Sequence, residues 1–535
     1  MKKIILLFAI SFIAVQIYGQ GQMDALKYSG TDLSGSARGV AMGGAFGALG
    51  GDITGIAQNP AGIGVYRSSE IVGTLSLSSV NTETNTLGSI TKDNRANFNF
   101  SNIAYVGYMP LAGDVSAVNF GFSYNRLKNF GRNYNSIGNG LTSSLTDYIA
   151  EYTTRNANVP AEKFEANNAY SLFPWISVLG YNGGLINDNG NGYISSLMGP
   201  QATREDGTLQ TVDRMYSVSE RGHIDSYDFT MGTNISDMVY LGLTFSFTDM
   251  RYNLNSRHTE EFERGGEFKG GGFDFDNSLE TSGAGYQVSI GAIFRPIDEL
   301  RLGIAYHSPT WYNLTDSYSA RVNYEGWLLD PNNLEWDWDN ISATTPRNAF
   351  TEYRLTTPDR WVMSIAGVIG SRAIISLDYE YSDCSKIRLG NANNGFNNEY
   401  RKQNEYISQD FVGASTLKAG LEYRVTPQLS LRAGYAWMQS PLEKSFKAGL
   451  QEVLPSGTVT AYTLDGDINY YSAGIGYRFT PNFYMDFAFS VRQQTSELYT
   501  YSPIWNDMNE LVVSSDPTGL KNNTYTGLLT LGYRF

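Results

Sequence analysis

The chain has 535 residues, a formal net charge of -14, 37 Tyr, 27 Phe, 56 Gly and one Cys. The acidic balance argues against a nucleic-acid binder, which needs a basic face. The lone Cys384 forbids an internal disulfide and stands too far from the start to carry a lipid anchor.

The first residues, Lys2 and Lys3, then an apolar run from Ile4 to Val15, then Gly19, have the layout of a cleavable secretory signal. Residues 1–19 are therefore expected to be removed, leaving a mature start near Gln20. Beyond them no apolar run reaches the ~18 residues of a membrane helix. A spanning β-strand needs only about 10 residues with one apolar face, so a membrane barrel remains open.

Residues 20–68 are rich in Gly and Ala, notably from Ser34 to Gly51, and show no strand alternation; such a backbone can pack closely inside a lumen. From residue 69 onward alternating segments recur. Leu300, Leu302, Ile304 and Tyr306 oppose Arg301, Gly303 and His307. Ile375, Leu377, Tyr379 and Tyr381 oppose Ser376, Asp378, Glu380 and Ser382. Leu429, Leu431, Ala433, Tyr435 and Trp437 oppose Ser430, Arg432 and Gly434, and Phe483, Met485, Phe487 and Phe489 oppose Tyr484, Asp486 and Ser490. The last segment puts Tyr525, Leu529, Leu531, Tyr533 and Phe535 on one face and Thr526, Thr530, Gly532 and Arg534 on the other. A two-residue period argues for strands.

Tight turns are expected near Pro110, Ser236, Pro296, Gly370, Pro427 and Pro481, and long polar excursions over 81–96, 128–212, 256–272, 320–348, 388–404, 440–463 and 498–520. The segment Gly420 to Pro427 is echoed by Gly474 to Pro481, each a strand running into a turn. Six short and seven long connections join 14 strands, with short turns on one side and long loops on the other. The expected fold is all-β: a 14-stranded antiparallel transmembrane β-barrel over 69–535, in the outer membrane of a Gram-negative bacterium, with the N-terminal segment as a small hatch plugging the lumen. Phe535 closing the last strand resembles the signal read by the barrel-assembly machinery. Outer-membrane lipid and lipopolysaccharide are the expected surroundings. Within the excursion after strand 3, Ser144 to Tyr152 reads as a short helix, and Phe173 to Leu179 is unusually apolar.

The most specific stretch is Gly39 to Asp52, followed by Gln58-Asn-Pro-Ala-Gly-Ile63. It resembles the hatch of the FadL/TodX (OMPP1) family of outer-membrane hydrophobic-compound transport proteins, Bacteroidetes type, with the family's Asn-Pro-Ala signature at Asn59, Pro60 and Ala61. The match in layout covers the signal, the plug and the barrel; residue-level matching is strong only in the hatch. The resemblance implies passive uptake of long-chain fatty acids or other hydrophobic small molecules, without an energy-coupling partner. It further implies capture by external loops, a pocket in the lumen and sideways exit through the wall where a strand is kinked. The bilayer core accepts such solutes at about 0.8 kcal/mol per CH₂. Carried onto this chain, Asn59, Pro60 and Ala61 fix the hatch, or form a plain turn. Gly121 is the candidate kink in strand 3, or relieves crowding. Phe173, Trp175, Ile176, Val178 and Leu179 are candidates for ligand capture, or make that loop's own core. Related barrels with the same opening also serve Bacteroidetes secretion systems as components or shuttles, which is the alternative function. A general porin is disfavoured by the hatch, and a TonB-dependent receptor by the small plug and strand number.

Other chemistry is thin. His223, His258 and His307 have no metal-ligand spacing and no nucleophile-base arrangement is readable, so neither an enzyme nor a metal or cofactor is expected. Gly265-Gly266 and Gly270 to Gly272 lack phosphate-loop context, and Trp336-Asp-Trp338 reads as local packing or a sugar platform. Asp378, Glu380, Lys418, Glu422, Arg424, Arg432, Asp486, Arg301 and Arg478 are expected to face inward and pair across the lumen.

Overall fold

A computed structural model describes residues 21–535 except 199–209, 264–269, 331–333, 347–349, 371, 393–399, 450, 507 and 509; the expected signal and the Gly265-Gly266 pair lie outside the described residues. Strands β1 (Glu70–Thr86) and β2 (Ser89–Pro110) form the first hairpin. Strand β3 comes in two segments, Val115–Asn129 and Arg132–Leu141. After it run β4 (Val212–Ile235), β5 (Val239–Phe262) and β6 (Gly272–Ile297). Three interrupted strands follow: β7 (Leu300–His307, Trp311–Leu329), β8 (Trp336–Thr344, Phe350–Thr356, Arg360–Ile369) and β9 (Ala373–Asp383, Arg388–Asn391). The last five are β10 (Gly413–Arg424), β11 (Leu429–Met438), β12 (Tyr462–Arg478), β13 (Phe483–Tyr499) and β14 (Thr518–Arg534).

Each strand pairs antiparallel with the next, and β14 returns to β1 in register from Glu70 with Arg534 to Asn85 with Gly519, closing a 14-stranded barrel. Closure leaves no edge to solvate in lipid. The outward rows that alternate in sequence are exposed: Leu377, Tyr379, Phe487, Phe489, Leu529 and Leu531 all face out, while Asp378, Glu380, Asp486 and Thr530 are buried inside. Two aromatic belts bound this apolar band. One is a cross-strand row, Tyr124, Tyr227, Phe247, Tyr286 and Trp311, each paired with the next. The other gathers Tyr105, Phe535, Tyr533, Phe479 and Phe483 near the chain ends, with Tyr105 stacked on Phe535 at 6.4 Å. Such girdles mark the two membrane interfaces.

The six tight turns fall where expected, and so do the excursions 440–463 and 498–520, but three of the others do not. Residues 81–96 are no loop: β1 and β2 run on to a two-residue turn at Leu87-Gly88, where both take positive φ. Much of 256–272 and 320–348 is likewise strand. Beyond the outer belt the outward positions turn polar, as Asn253, Asn255 and Arg257 do on β5, while Met250, Tyr252 and Leu254 are buried inside, so the alternation reverses while pairing continues. Helix α4 (Leu145–Asn156) forms where a helix was expected, started by a capping box of Ser144 and Asp147.

The hatch fills the lumen ahead of β1. It holds helices α1 (Gln22–Ser29), α2 (Ala37–Ala41) and α3 (Ile53–Gln58), then a 3-10 turn over Pro60–Val65. Ser36 caps α2, Asp52 caps α3 and Asn59 caps the 3-10 turn, each through its side chain. Ser36 Oγ also donates to Asp52 Oδ1 at 2.7 Å, tying the first two caps together.

Candidate functional site

The hatch is seated by glycines of the wall. Gly232, Gly242 and Gly291 oppose one another in one row across β4, β5 and β6. A Cβ on Gly242 would stand 2.2 Å from the Pro60 carbonyl, one on Gly291 1.9 Å from Asn59 Oδ1, and one on Gly232 2.5 Å from Ile63 Cγ2. Across the lumen, Gly434 would place a Cβ 2.0 Å from the Gly43 nitrogen, and Gly420 one 2.5 Å from the Met42 carbonyl. The hatch backbone therefore lies where side chains would otherwise project. Asn59, 1% exposed, secures the notch: Nδ2 donates to the carbonyls of Gly47 (2.8 Å) and Ala292 (3.1 Å), and Oδ1 accepts from Ala61 N (3.0 Å).

The inward charges hold the hatch as well as one another. Arg38 of α2 grips Glu422 through Nε (2.8 Å) and Nη2 (3.1 Å), and Arg432 joins Glu422 to Asp486 at 2.6 Å each. Lys418 pairs with Glu380, to which Arg360 also reaches at 3.3 Å. Asp378 accepts from the Gly47 nitrogen at 2.9 Å, and Arg301 donates to the Leu49 carbonyl. His307 bridges the Gln58 carbonyl (3.1 Å) and Ser289 Oγ (2.8 Å). Arg424 and Arg478 depart from the expectation: both lie exposed at the turn-side rim, beyond the seat of the hatch. No group of three or more His, Cys, Asp or Glu suits a metal among the described residues.

Above the hatch lies a cavity of about 360 Å³. Its floor is α1 and the segment after it, through Met23, Leu26 and Leu33; its apolar walls include Val80, Leu127, Phe130, Leu254 and Leu279. From the loop side Pro441, Val453 and Val459 close it. The polar lining is mostly self-satisfied. Lys27 and Arg132 both pair with Glu220. Lys128 differs: Nζ donates to the Lys27 carbonyl at 2.6 Å and lies 5.2 Å from the Phe130 ring centroid, with no carboxylate partner among the described residues. Arg492 pairs loosely with Asp32, at 3.8 Å, and its buried Nε has no hydrogen-bond partner among the described residues.

One side of the cavity meets a seam in the wall. Strands β2 and β3 pair only from Pro110 with Ala117 to Asn102 with Asn125. Beyond that, β3 shifts register against β4 between Arg126 and Lys128, breaks at Phe130-Gly131, and resumes behind the β1–β2 hairpin. Inward threonines of β1 then touch it, as Thr82 Oγ1 does the Asn133 carbonyl at 2.6 Å. The wall overlaps itself like a lap joint. Only side chains cross it: Arg126 and Asn129 reach Asn99 Oδ1 at 2.7 and 3.1 Å, and Asn97 the Gly131 carbonyl at 3.1 Å. Asn97, Asn99, Arg126, Asn129 and Gly131 all line the cavity. On the lipid side, Phe98 and Phe100 stand exposed.

Gly121 lies in continuous pairing with Val106 and Thr230, where it leaves room for Ile63; the break in β3 falls nine residues later, at Phe130. Ile176, Val178 and Leu179, on helix α5 (Trp175–Asn182), are buried with Leu145, Ile149 and Tyr148 in the external loop's core. Phe173 packs edge-on against Phe164, and Trp175 against Tyr318 and Tyr170. None of the five lines the cavity. Trp338 packs edge-on against Trp327 at 5.7 Å. Sequence reasoning did not single out Lys128, Arg492, the Asn99 bridges or the glycine seat; of these, only inward glycines recurring strand after strand left a readable signal.

The profile of the outer membrane protein transport family OMPP1/FadL/TodX matches residues 19–501. A FadL homologue from Pseudomonas aeruginosa superposes with a TM-score of 0.52 at 13% identity, covering 94% of this chain and 99% of that one. A deltaS2 mutant of the TodX monoaromatic hydrocarbon channel gives 0.53 at 12% identity, covering 94% and 100%. The 47 kDa outer membrane protein of Pasteurella multocida is 24% identical over 214 residues, 40% of this chain and 45% of that protein, so the match spans less than half of that relative.

Proposed function

Since the chain belongs to the OMPP1/FadL/TodX family of outer membrane transport proteins, we propose that it admits long-chain amphiphiles with an anionic head, fatty acids foremost, by passive diffusion. The observation that carries this reading is the cavity, an apolar chamber closed below by a locked hatch and bounded at the side by a seam without backbone pairing. Its volume, about 360 Å³, falls in the range of ligand sites, about 300–1,000 Å³. Lys128 favours an acid over a neutral aromatic, because a cation without a carboxylate partner gains a charge-assisted hydrogen bond from one, and the unpartnered Nε of Arg492 offers a second donor. The seam supplies the way out. Parting it breaks a handful of side-chain bonds, whereas parting two paired strands breaks a whole ladder, and Phe98 and Phe100 offer an apolar sill toward lipid.

The test is uptake of a fluorescent long-chain fatty acid by cells lacking their own transporter. The parent protein takes it up; Lys128→Met, with Arg492 intact, slows uptake of the acid and leaves a long-chain alcohol unaffected. A bond to a charged group contributes about 1.5–3 kcal/mol, so affinity for the acid falls roughly 10- to 100-fold. A correctly folded parent that takes up neither compound refutes the reading.

A further inference from the structure

Outside the barrel, the step in the wall that makes the seam also makes a groove. Where β3 resumes behind the β1–β2 hairpin, the edge of β2 at Asp93 overhangs the outer face of β3 to β7, and Thr344–Pro346 bound the far side. The trough between them encloses about 790 Å³. Strand register lays six side chains across its floor in one row: Asn135, Ser217, Arg257, Asp276, Arg321 and Thr344. At the ~4.8 Å spacing of neighbouring strands, the row is about 24 Å long.

We propose that this groove binds the sugar chain of an outer-leaflet glycolipid. Its chemistry selects a polyhydroxylated ligand. Ser217, Asn255, Ser278, Ser319 and Arg321 have no hydrogen-bond or ion-pair partner among the described residues. Their neighbours are held in place: Arg257 binds Asp276 through two bonds of 2.6 and 3.1 Å, and Asn135 donates to Asp93 at 2.9 Å. Fixed polar groups therefore stand among free ones. Two carboxylates and two guanidiniums cancel, so the floor offers donors and acceptors without net charge, which suits hydroxyls and not a nucleic acid. Val218, Ala320 and Pro346 are the only apolar residues of the described lining, too few to sheath an acyl chain, and the strands beneath are paired on both sides, so no peptide can add to them.

Position selects the source. Asn255 lies eight residues along β5 from Phe247 of the outer belt. With a rise of ~3.3 Å per residue and a tilt near 40°, that is roughly 20 Å beyond the hydrocarbon edge, among the sugars of the outer leaflet.

The purified barrel is titrated calorimetrically with three probes: intact lipopolysaccharide from the expressing cells in nanodiscs, the polysaccharide released from it by mild acid, and lipid A. Ser278→Trp fills the trough and Arg321→Ala removes its free cation; neither takes a partner from the fold. The parent is expected to bind the released polysaccharide, and to bind intact glycolipid more tightly than lipid A. Ser278→Trp should weaken polysaccharide binding at least 10-fold and Arg321→Ala several-fold, with lipid A binding unchanged. No polysaccharide binding by the parent, or equal binding by Ser278→Trp, overturns the assignment. Binding of the free polysaccharide without preference for intact glycolipid over lipid A overturns the glycolipid as its source.

Discussion

Gly291→Ala should unseat the hatch while sparing the barrel. The added methyl would lie 1.9 Å from Asn59 Oδ1, against the 3.4 Å at which ordinary contact begins. Asn59 must therefore retreat by roughly 1.5 Å, which stretches its bonds of 2.8, 3.0 and 3.1 Å beyond hydrogen-bonding range. The Gly47 carbonyl and the Ala61 nitrogen then lose a buried partner, at about 1–3 kcal/mol each, or about 2–6 kcal/mol together. At about 1.4 kcal/mol per tenfold, the open-hatch population rises roughly 30- to 20,000-fold. The assay is ionic conductance in planar bilayers together with protease sensitivity of residues 21–69, heat-modifiable gel mobility serving as the check on barrel folding. Gly527→Ala is the control, because a Cβ there meets nothing within 4 Å. Asn59→Ala should open the hatch comparably, and the double variant little further, since both changes break one interaction. A Gly291→Ala protein as closed and as protease-resistant as Gly527→Ala would refute the seating argument.

Bridging Asn99→Cys and Asn129→Cys with a short bifunctional thiol reagent, Cys384 replaced by Ser, should abolish amphiphile uptake, and cleaving the bridge should restore it; uptake that survives the bridge places the exit elsewhere. Ile176→Ala, at a site 1% exposed in the external loop's core, should destabilise that loop by about 2–5 kcal/mol in hydrogen exchange, leaving ligand affinity as it was. Burial pushes the Asp410 carboxyl up to about 7, where it ends helix α6 (Arg401–Asp410) beside Gln22 of α1, with Glu443 raising it further. A raised acid holds its proton more tightly when folded, so the fold around Asp410 is firmest below the ordinary value near 4 and is weakened by the buried charge as pH climbs through about 7. Exchange protection of α6 should thus fall between pH 5 and pH 8, and Asp410→Asn should abolish that slope; an equal slope in both proteins rules out Asp410 as its origin.

The barrel was legible where lipid writes on one face of a strand and the lumen on the other. Leu377 beside Asp378 and Phe487 beside Asp486 need opposite surroundings, and only alternation supplies them. Past the outer belt the outside is polar and the inside is the apolar chamber, so Asn253 and Asn255 face out while Tyr252 and Leu254 face in, the reverse of the membrane pattern, and continuing strands pass for loops. The hatch signature was legible as a motif, yet its purpose depends on Gly242 and Gly291, brought opposite each other only by register. Phe173 to Leu179 shows the converse: apolar residues in an external excursion have two uses, and the neighbours that settle burial, Leu145 and Ile149, lie on a separate helix. The bend in β3 was expected at a glycine and lies at one, Gly131 instead of Gly121, because what decides it is where β2 stops pairing, which no single strand records.

The pairing of β1 with β14 joins residues more than 430 positions apart in the chain. No hoop exists until the final segment, Thr518–Arg534, has been made, and the plug, which precedes every strand, is older than the ring around it. Its contacts reach strands of both halves, from Gly242 to Gly434, so the last zipper to close is also the one that encircles it. Loss of the C-terminal strand would therefore remove more than one fourteenth of the wall: it would leave an open sheet with two bare edges and a plug with nothing to plug.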